Sequence, residues 1–232
     1  YGNAIADRTF RVWEETKENT FRTSFDTTGN QFVTFRALFE NSAREGEGLE
    51  LHVLEAVGEQ PAMRQFDIAD RDRKRFTLLT TVTPNAYFGV NLSAGVGRDE
   101  YPHSEFGLQH YDSDQYSAGF DLFPSDQVGF SLVYAWEKYD SLQTSRTASP
   151  APSPQFTDPT RNWFTDFIGK VNNLDATLDL AEIAPRTAFR FNASWSDAKD
   201  TYKYLLASPT TLPPPAQLAP VTSEVFRSTV DL

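Results

Sequence analysis

The side chains that most often carry chemistry are sparse in this sequence and stand in no catalytic pattern. His52, His103 and His110 are its three histidines, and none has an HExxH or other metal-ligand spacing. All three fall in stretches that read as loops, so an exposed loop histidine is expected at each. Cysteine is absent, which excludes disulfides, thiolate metal sites and covalent c-type haem attachment to this chain. There is no GxSxG elbow, phosphate loop or dinucleotide fingerprint. Gly95-Val96-Gly97 lies inside or at the end of a strand pattern instead of opening a helix. With 32 Asp and Glu in the chain, a carboxylate pair for acid-base catalysis could be drawn almost anywhere and carries no specificity. The expectation is a protein that is not an enzyme and binds no metal or cofactor itself.

What does recur is a set of polar residues at alternating positions: Asn91, Asp121, Glu137, Asn173, Asp175, Asp179, Arg190, Asn192, Arg227 and Asp231. The segments around them have period two. Phe88, Val90, Leu92, Ala94 and Val96 alternate with Gly89, Asn91, Ser93, Gly95 and Gly97. Val128, Phe130, Leu132, Tyr134 and Trp136 do the same, as do Leu174, Ala176, Leu178 and Leu180. Strict alternation of this kind marks β-strands with one oily face. Further strands are expected at about 20–27, 31–40, 74–82, 115–123, 187–197 and 224–232, nine in all. Residues 1–19 read as a loop from their charge and lack of alternation, with a short strand around Arg8 to Trp13 as the alternative.

No window approaches the roughly 18 apolar residues of a membrane helix, and mean hydropathy is -0.48, so any membrane crossing must be made by strands. The connections alternate between short and long. Thr27-Thr28-Gly29-Asn30, Thr83-Pro84-Asn85, Pro124-Ser125-Asp126-Gln127 and Ala181 to Arg186 carry tight-turn residues. Between them lie long polar stretches at about 41–73, 98–114, 138–169 and 198–223. These hold acids such as Glu45, Glu47, Glu50, Asp112 and Asp114, read as solvated loop charge. Thr147 to Asp158-Pro159 and Pro213-Pro214-Pro215 read as flexible surface loops. Bacterial outer-membrane barrels have this asymmetry, with short periplasmic turns and long extracellular loops.

Aromatic placement agrees. Tyr87, Phe88 and Phe123 flank short turns, whereas Tyr134, Trp136 and Trp195 stand toward long loops, as expected of membrane-interface aromatics. A soluble antiparallel sandwich also alternates, but the non-oily face here is rich in Gly, Ser, Ala, Asn and Asp, which suits a hydrated or plugged lumen. The expected fold is therefore all-β: an antiparallel up-and-down transmembrane β-barrel in the bacterial outer membrane, about nine strands of a larger barrel. The ten polar residues named above are its lumen-facing candidates. A net charge of -11 argues against nucleic acid as a partner, and lipid is the expected neighbour of the oily face. The first residue, Tyr1, and the strand-like ending at Leu232 read as cuts from a longer protein. From these residues alone, an aqueous porin or solute channel and a barrel filled by another protein remain open alternatives.

Several stretches resemble one family, the MtrB/PioB outer-membrane barrels that accompany multihaem cytochromes. They are Arg64 to Arg73, Gly95 to Pro102 with Ser104 to Leu108, Tyr134 to Ser141, Asp158 to Trp163 and Lys170 to Leu174. Their order and spacing match together over about residues 64–197. The resemblance implies a sheath through which a periplasmic multihaem cytochrome is inserted, meeting an extracellular cytochrome at the far side. Haem would then be carried by the partner, and the barrel would serve extracellular electron transfer by shielding it from lipid. Family barrels are longer than this chain, and the N-terminal Cys-x-x-Cys of some members has no counterpart here.

Overall fold

The computed structural model describes residues 2–7, 15–27, 31–47, 60, 62–147 and 157–231. Its strands are β1 (Gly2–Asp7), β2 (Glu15–Asp26), β3 (Val33–Glu47), β4 (Met63–Arg64), β5 (Arg71–Asn85), β6 (Phe88–Glu100), β7 (Phe106–Ser125), β8 (Val128–Arg146), β9 (Asn162–Ala184), β10 (Thr187–Leu206) and β11 (Val221–Asp231). All but β4 follow one another in space as they do in sequence, forming a single up-and-down antiparallel sheet. The two-residue β4 instead pairs in parallel with the start of β7.

Side chains alternate across a strand, and directly paired residues share a face. The register can therefore be followed from strand to strand. Leu92 pairs with Ala118, Leu132 with Phe120 and Ala176, and Phe191 with Leu178. These residues lie on one apolar face. Asn91 pairs with Gly119, Asp121 with Ser131, Ser131 with Thr177, and Thr177 with Asn192. These form the opposite, polar face.

The apolar face is not covered. Phe21 is 53% exposed, Phe25 62%, Leu92 47% and Phe226 67%. Among the described residues the buried apolar side chains are Ile68 and Ala69, in the segment before β5, and Tyr101 and Phe106, at the β6–β7 connection; the first segment packs on the polar side, held by Arg44. A water-soluble sheet would bury its oily face; a sheet that crosses a bilayer presents it to lipid. On β6 the apolar run from Phe88 to Val96 covers about 27 Å along the strand, or roughly 20 Å of depth at a 40° tilt.

Four strands are far longer than the ~10 residues a crossing requires. β7 has 20 residues, β8 19, β9 23 and β10 20. The extra length is all on the side away from the tight turns, and it corrects the expected loops. Of 41–73, residues 41–47 continue β3 and 71–73 begin β5; 98–100 and 106–114 extend β6 and β7. Of 138–169, 138–146 continue β8 and 162–169 begin β9, while 198–206 and 221–223 belong to β10 and β11. Glu45, Glu47, Asp112 and Asp114 are strand residues, and so is His110. The connection between β6 and β7 is only 101–105, so the short-long rhythm fails there. These extensions lie beyond the apolar band and mix polar and apolar residues on both faces, so the sequence loses the apolar period that marks a strand.

The first residues are corrected similarly. β1 and the start of β2 pair in register from Gly2 with Thr20 to Asp7 with Glu15, where a loop was expected. The alternative strand around Arg8 to Trp13, like His52 and Glu50, lies outside the described residues.

Candidate functional site

All ten lumen-facing candidates stand on the polar face, because the register links them through successive pairs. Asp121 pairs with Ser131, Glu137 with Val171, Asn173 with Ser196, Asp175 with Ser194 and Asp179 with Arg190. Arg190 in turn pairs with Asp231, Asn192 with Thr229, and Ser194 with Arg227. Asn91 joins them through its hydrogen bond to Asp121.

The face is laced by side-chain hydrogen bonds running across strands. Thr81 Oγ1 donates to Asn91 Oδ1 at 2.9 Å, Asn91 Nδ2 to Asp121 Oδ2 at 2.9 Å, and Ser131 Oγ to Asp121 Oδ1 at 2.5 Å. Four strands are tied in this one row. A second row runs from Thr177 Oγ1 to Asn192 Oδ1 at 3.1 Å and from Asn192 Nδ2 to Thr229 Oγ1 at 3.3 Å. Arg190 Nε reaches Asp179 Oδ1 at 2.5 Å. Glu137 accepts from the Tyr139 hydroxyl, and the Tyr139 ring stacks on Tyr111 at 6.0 Å between centroids. Small residues between these groups keep the face low. A groove of ≈ 300 Å³ is lined by Asp175, Thr177, Asn192, Ser194, Arg227 and Thr229, among others.

The interface aromatics divide. Phe88, Tyr134, Trp136 and Trp195 belong to the apolar face by register. Trp136 stacks on Tyr116 at 5.6 Å, the Tyr134 hydroxyl donates to Asn172 Oδ1 at 2.8 Å, and Trp195 Nε1 donates to Glu224 Oε1 at 2.9 Å. Tyr87 sits in the β5–β6 turn, its carbonyl accepting from Phe123 N at 2.8 Å. Phe123 differs from the others. Its ring lies over Gly129 on the polar face, 3.2 Å from where a Cβ would stand; the irregular pairing between Leu122 and Ser125 and the missing side chain at Gly129 make room for it.

Beyond the apolar band the polar face carries an ionic cluster that the sequence candidates missed. Arg73 donates from Nε to Asp99 Oδ1 at 2.8 Å and from Nη2 to Oδ2 at 2.6 Å. Arg71 Nη2 bonds Glu18 Oε1 at 2.7 Å and Ser42 Oγ bonds the same oxygen at 2.9 Å. Over this cluster folds the segment 62–70. Arg44 holds it by donating from Nε to Ala69 O at 2.9 Å, Nη1 to Asp67 O at 3.0 Å and Nη2 to Phe66 O at 2.7 Å. Asp70 accepts from Gly46 N at 2.7 Å and lies 2.8 Å from His103 Nδ1. Gly107 takes φ +108, and a Cβ there would come within 2.2 Å of Arg64 O, so glycine is required for β4 to pair. Beside the cluster, burial and then the Asp99 carboxylate push the Tyr101 phenol up from its ordinary pKa.

A signal for this cluster did exist, in the stretches that carry the family resemblance. Arg64 to Arg73, Gly95 to Pro102 and Ser104 to Leu108 meet here, through Arg73 with Asp99 and Arg64 with Gly107. Asp158 to Trp163 fastens the top of β8 and β9. Arg161 Nε donates to Thr147 O at 2.7 Å, and Asn162 Oδ1 accepts from Arg146 Nε at 2.6 Å. Arg146 also lies over the Phe106 ring at 4.7 Å. The proline-containing connection from β10 to β11 is docked on the same point, with Thr211 N donating to Thr160 O at 3.2 Å.

Among solved structures, the ferric preacinetobactin receptor BauA from Acinetobacter baumannii is similar, with a TM-score of 0.51 at 13% identity. The similarity covers 98% of this chain and 38% of the receptor, so the chain spans well under half of that barrel's length. At this identity the likeness concerns the fold. Among curated proteins none matches the chain. The family described as "Putative outer membrane beta-barrel porin, MtrB/PioB" matches over residues 1–222. The chain therefore belongs to the MtrB/PioB family, and its sheet is an outer-membrane β-barrel wall.

Proposed function

We propose that the polar face lines the barrel interior and that the barrel is a sheath, holding a multihaem c-type cytochrome across the outer membrane for extracellular electron transfer. The observation that carries this reading is the polar face itself. Several of its acids and amides are bonded across strands, as in Thr81–Asn91–Asp121–Ser131 and Thr177–Asn192–Thr229, and small residues separate them. Such a wall is low and rigid, which suits close packing against a folded guest. Thioether attachment of haem needs cysteine and this sequence has none, which supports a reading in which the haems are carried by the partner. A second cytochrome would meet the guest at the extracellular rim. The chain's own part is non-catalytic: to exclude lipid and fix position.

A water-filled passage for solutes is the second reading, favoured by the family description as a porin and by charged residues such as Asp175 and Arg227 around an open groove. Mild detergent extraction of the full-length protein from its host, followed by haem staining, separates the two. The sheath reading requires a cytochrome in stoichiometric amount. Its absence, together with liposomes made leaky to small sugars, overturns that reading in favour of the porin.

A further inference from the structure

On the apolar face, each strand changes character abruptly as it leaves the oily band on the long-connection side. One outward position past Phe76 stands Lys74, past Val96 stands Arg98, and past Trp136 stands Lys138. Two positions past Leu174 and Trp195 stand Lys170 and Lys199. Within this collar the register does something unusual. Lys138 pairs with Asp114 on one side and with Lys170 on the other, and Lys170 pairs with Lys199, so three lysines stand side by side on adjacent strands. Neighbouring strands are about 4.8 Å apart, placing the row within about 10 Å. Like charges directly opposite one another destabilise a sheet. The rest of the collar answers its charge locally: Arg98 bonds Asp112 at 2.7 Å through both Nε and Nη2. Lys138 has Asp140 at 3.4 Å, but among the described residues neither Lys170 nor Lys199 has a carboxylate partner. The row lies just beyond the stacked Tyr116 and Trp136, at the level where headgroups begin.

We infer that Lys138, Lys170 and Lys199 form a binding site for the phosphate groups of an outer-leaflet lipid of the lipid A class. Three adjacent ammonium groups facing the headgroup layer supply what a phosphorylated sugar headgroup needs, while its acyl chains lie along the apolar band below. The anion also removes the repulsion within the row. This inference rests on the polar face being the inward one, and is independent of what the interior holds.

The test uses the full-length protein inserted into phosphatidylcholine vesicles, with lipid A, lipid A stripped of its phosphates, or inorganic phosphate added. Binding is read as the shift of the thermal midpoint with added lipid and as lipid phosphorus retained after detergent extraction. Lipid A alone is expected to raise the midpoint. The K138Q/K170Q/K199Q variant should bind it on the order of a hundredfold more weakly, at about fivefold per lysine, whereas the triple arginine variant should keep it. Equal binding by the glutamine variant, equal binding of the phosphate-free lipid, or the full shift with inorganic phosphate alone overturns the site. Failure of the wild type to insert into plain phosphatidylcholine would overturn the inward-face reading along with it, and that step is measured first.

Discussion

Arg73 and Asp99 face each other across β5 and β6, joined by parallel bonds of 2.8 and 2.6 Å on the polar side beyond the apolar band. Only 20% of the Arg73 side chain and 6% of Asp99 is exposed. Breaking such a pair leaves an uncompensated charge out of water, which costs about 3 kcal/mol. R73L and D99L should each lower stability by that order in urea unfolding, and the double variant should cost clearly less than their sum. Strictly additive losses would show that the pair does not act as a unit.

Arg44 makes the matching claim for the segment 62–70. R44A removes three charge-assisted bonds, and G107A forces a side chain into Arg64 O at a φ of +108. The glycine change alone costs about 1–3 kcal/mol. Both variants should gain trypsin cleavage at Arg64 while the strand signal in circular dichroism stays unchanged. Unaltered cleavage in both would mean the segment is held by other contacts.

The two faces differ in what they tolerate. Leu92, Leu132 and Leu178 lie on the apolar face and Ser93, Ser131 and Thr177 on the polar one. Arginine at any of the leucines should cost about 2–4 kcal/mol near the bilayer midplane, measured by urea titration in vesicles. Asparagine at the polar-face positions should cost little. Equal losses on both faces would be incompatible with a lipid-facing sheet.

Asp158 gives an acid-sensitive point outside the membrane. Its Oδ1 accepts from Thr160 Oγ1 at 2.7 Å and from Thr160 N at 3.0 Å, and these bonds hold its carboxyl below the usual carboxylate range. Folding favours the charged form, so its contribution is present above the unfolded pKa of about 3.9 and is lost as pH falls through the lower folded value. Hydrogen exchange at the Thr160 amide should therefore stay slow at neutral pH and quicken only in strong acid. D158A should remove the protection at every pH.

How much of this was legible in the sequence depended on where apolar residues could report the strand. Within the apolar band, as between Phe88 and Val96, one face is kept oily, so period two is visible and the polar-face positions Asn91, Asp121 and Asn192 could be named. Beyond Trp136 the next residues of β8, from Glu137 through Ser141, are nearly all polar; neither face keeps the apolar period, and the strand reads as loop. Glu18, Arg71, Arg73 and Asp99 were missed for another reason. Asp99 is 26 residues from Arg73 and Arg71 is 53 from Glu18, and only the register brings them together. The same holds for Lys138, Lys170 and Lys199. Phe123 misled because flanking a turn does not say which face a ring takes.

From Trp136 to Arg146, β8 continues about 33 Å along its length past the apolar band, with β7, β9 and β10 beside it. Free loops of that length would collapse and fluctuate, whereas four hydrogen-bonded strands make a stiff parapet. Anything docking at its lip is held at a fixed standoff from the lipid surface, and the orientation of that contact is set by the wall.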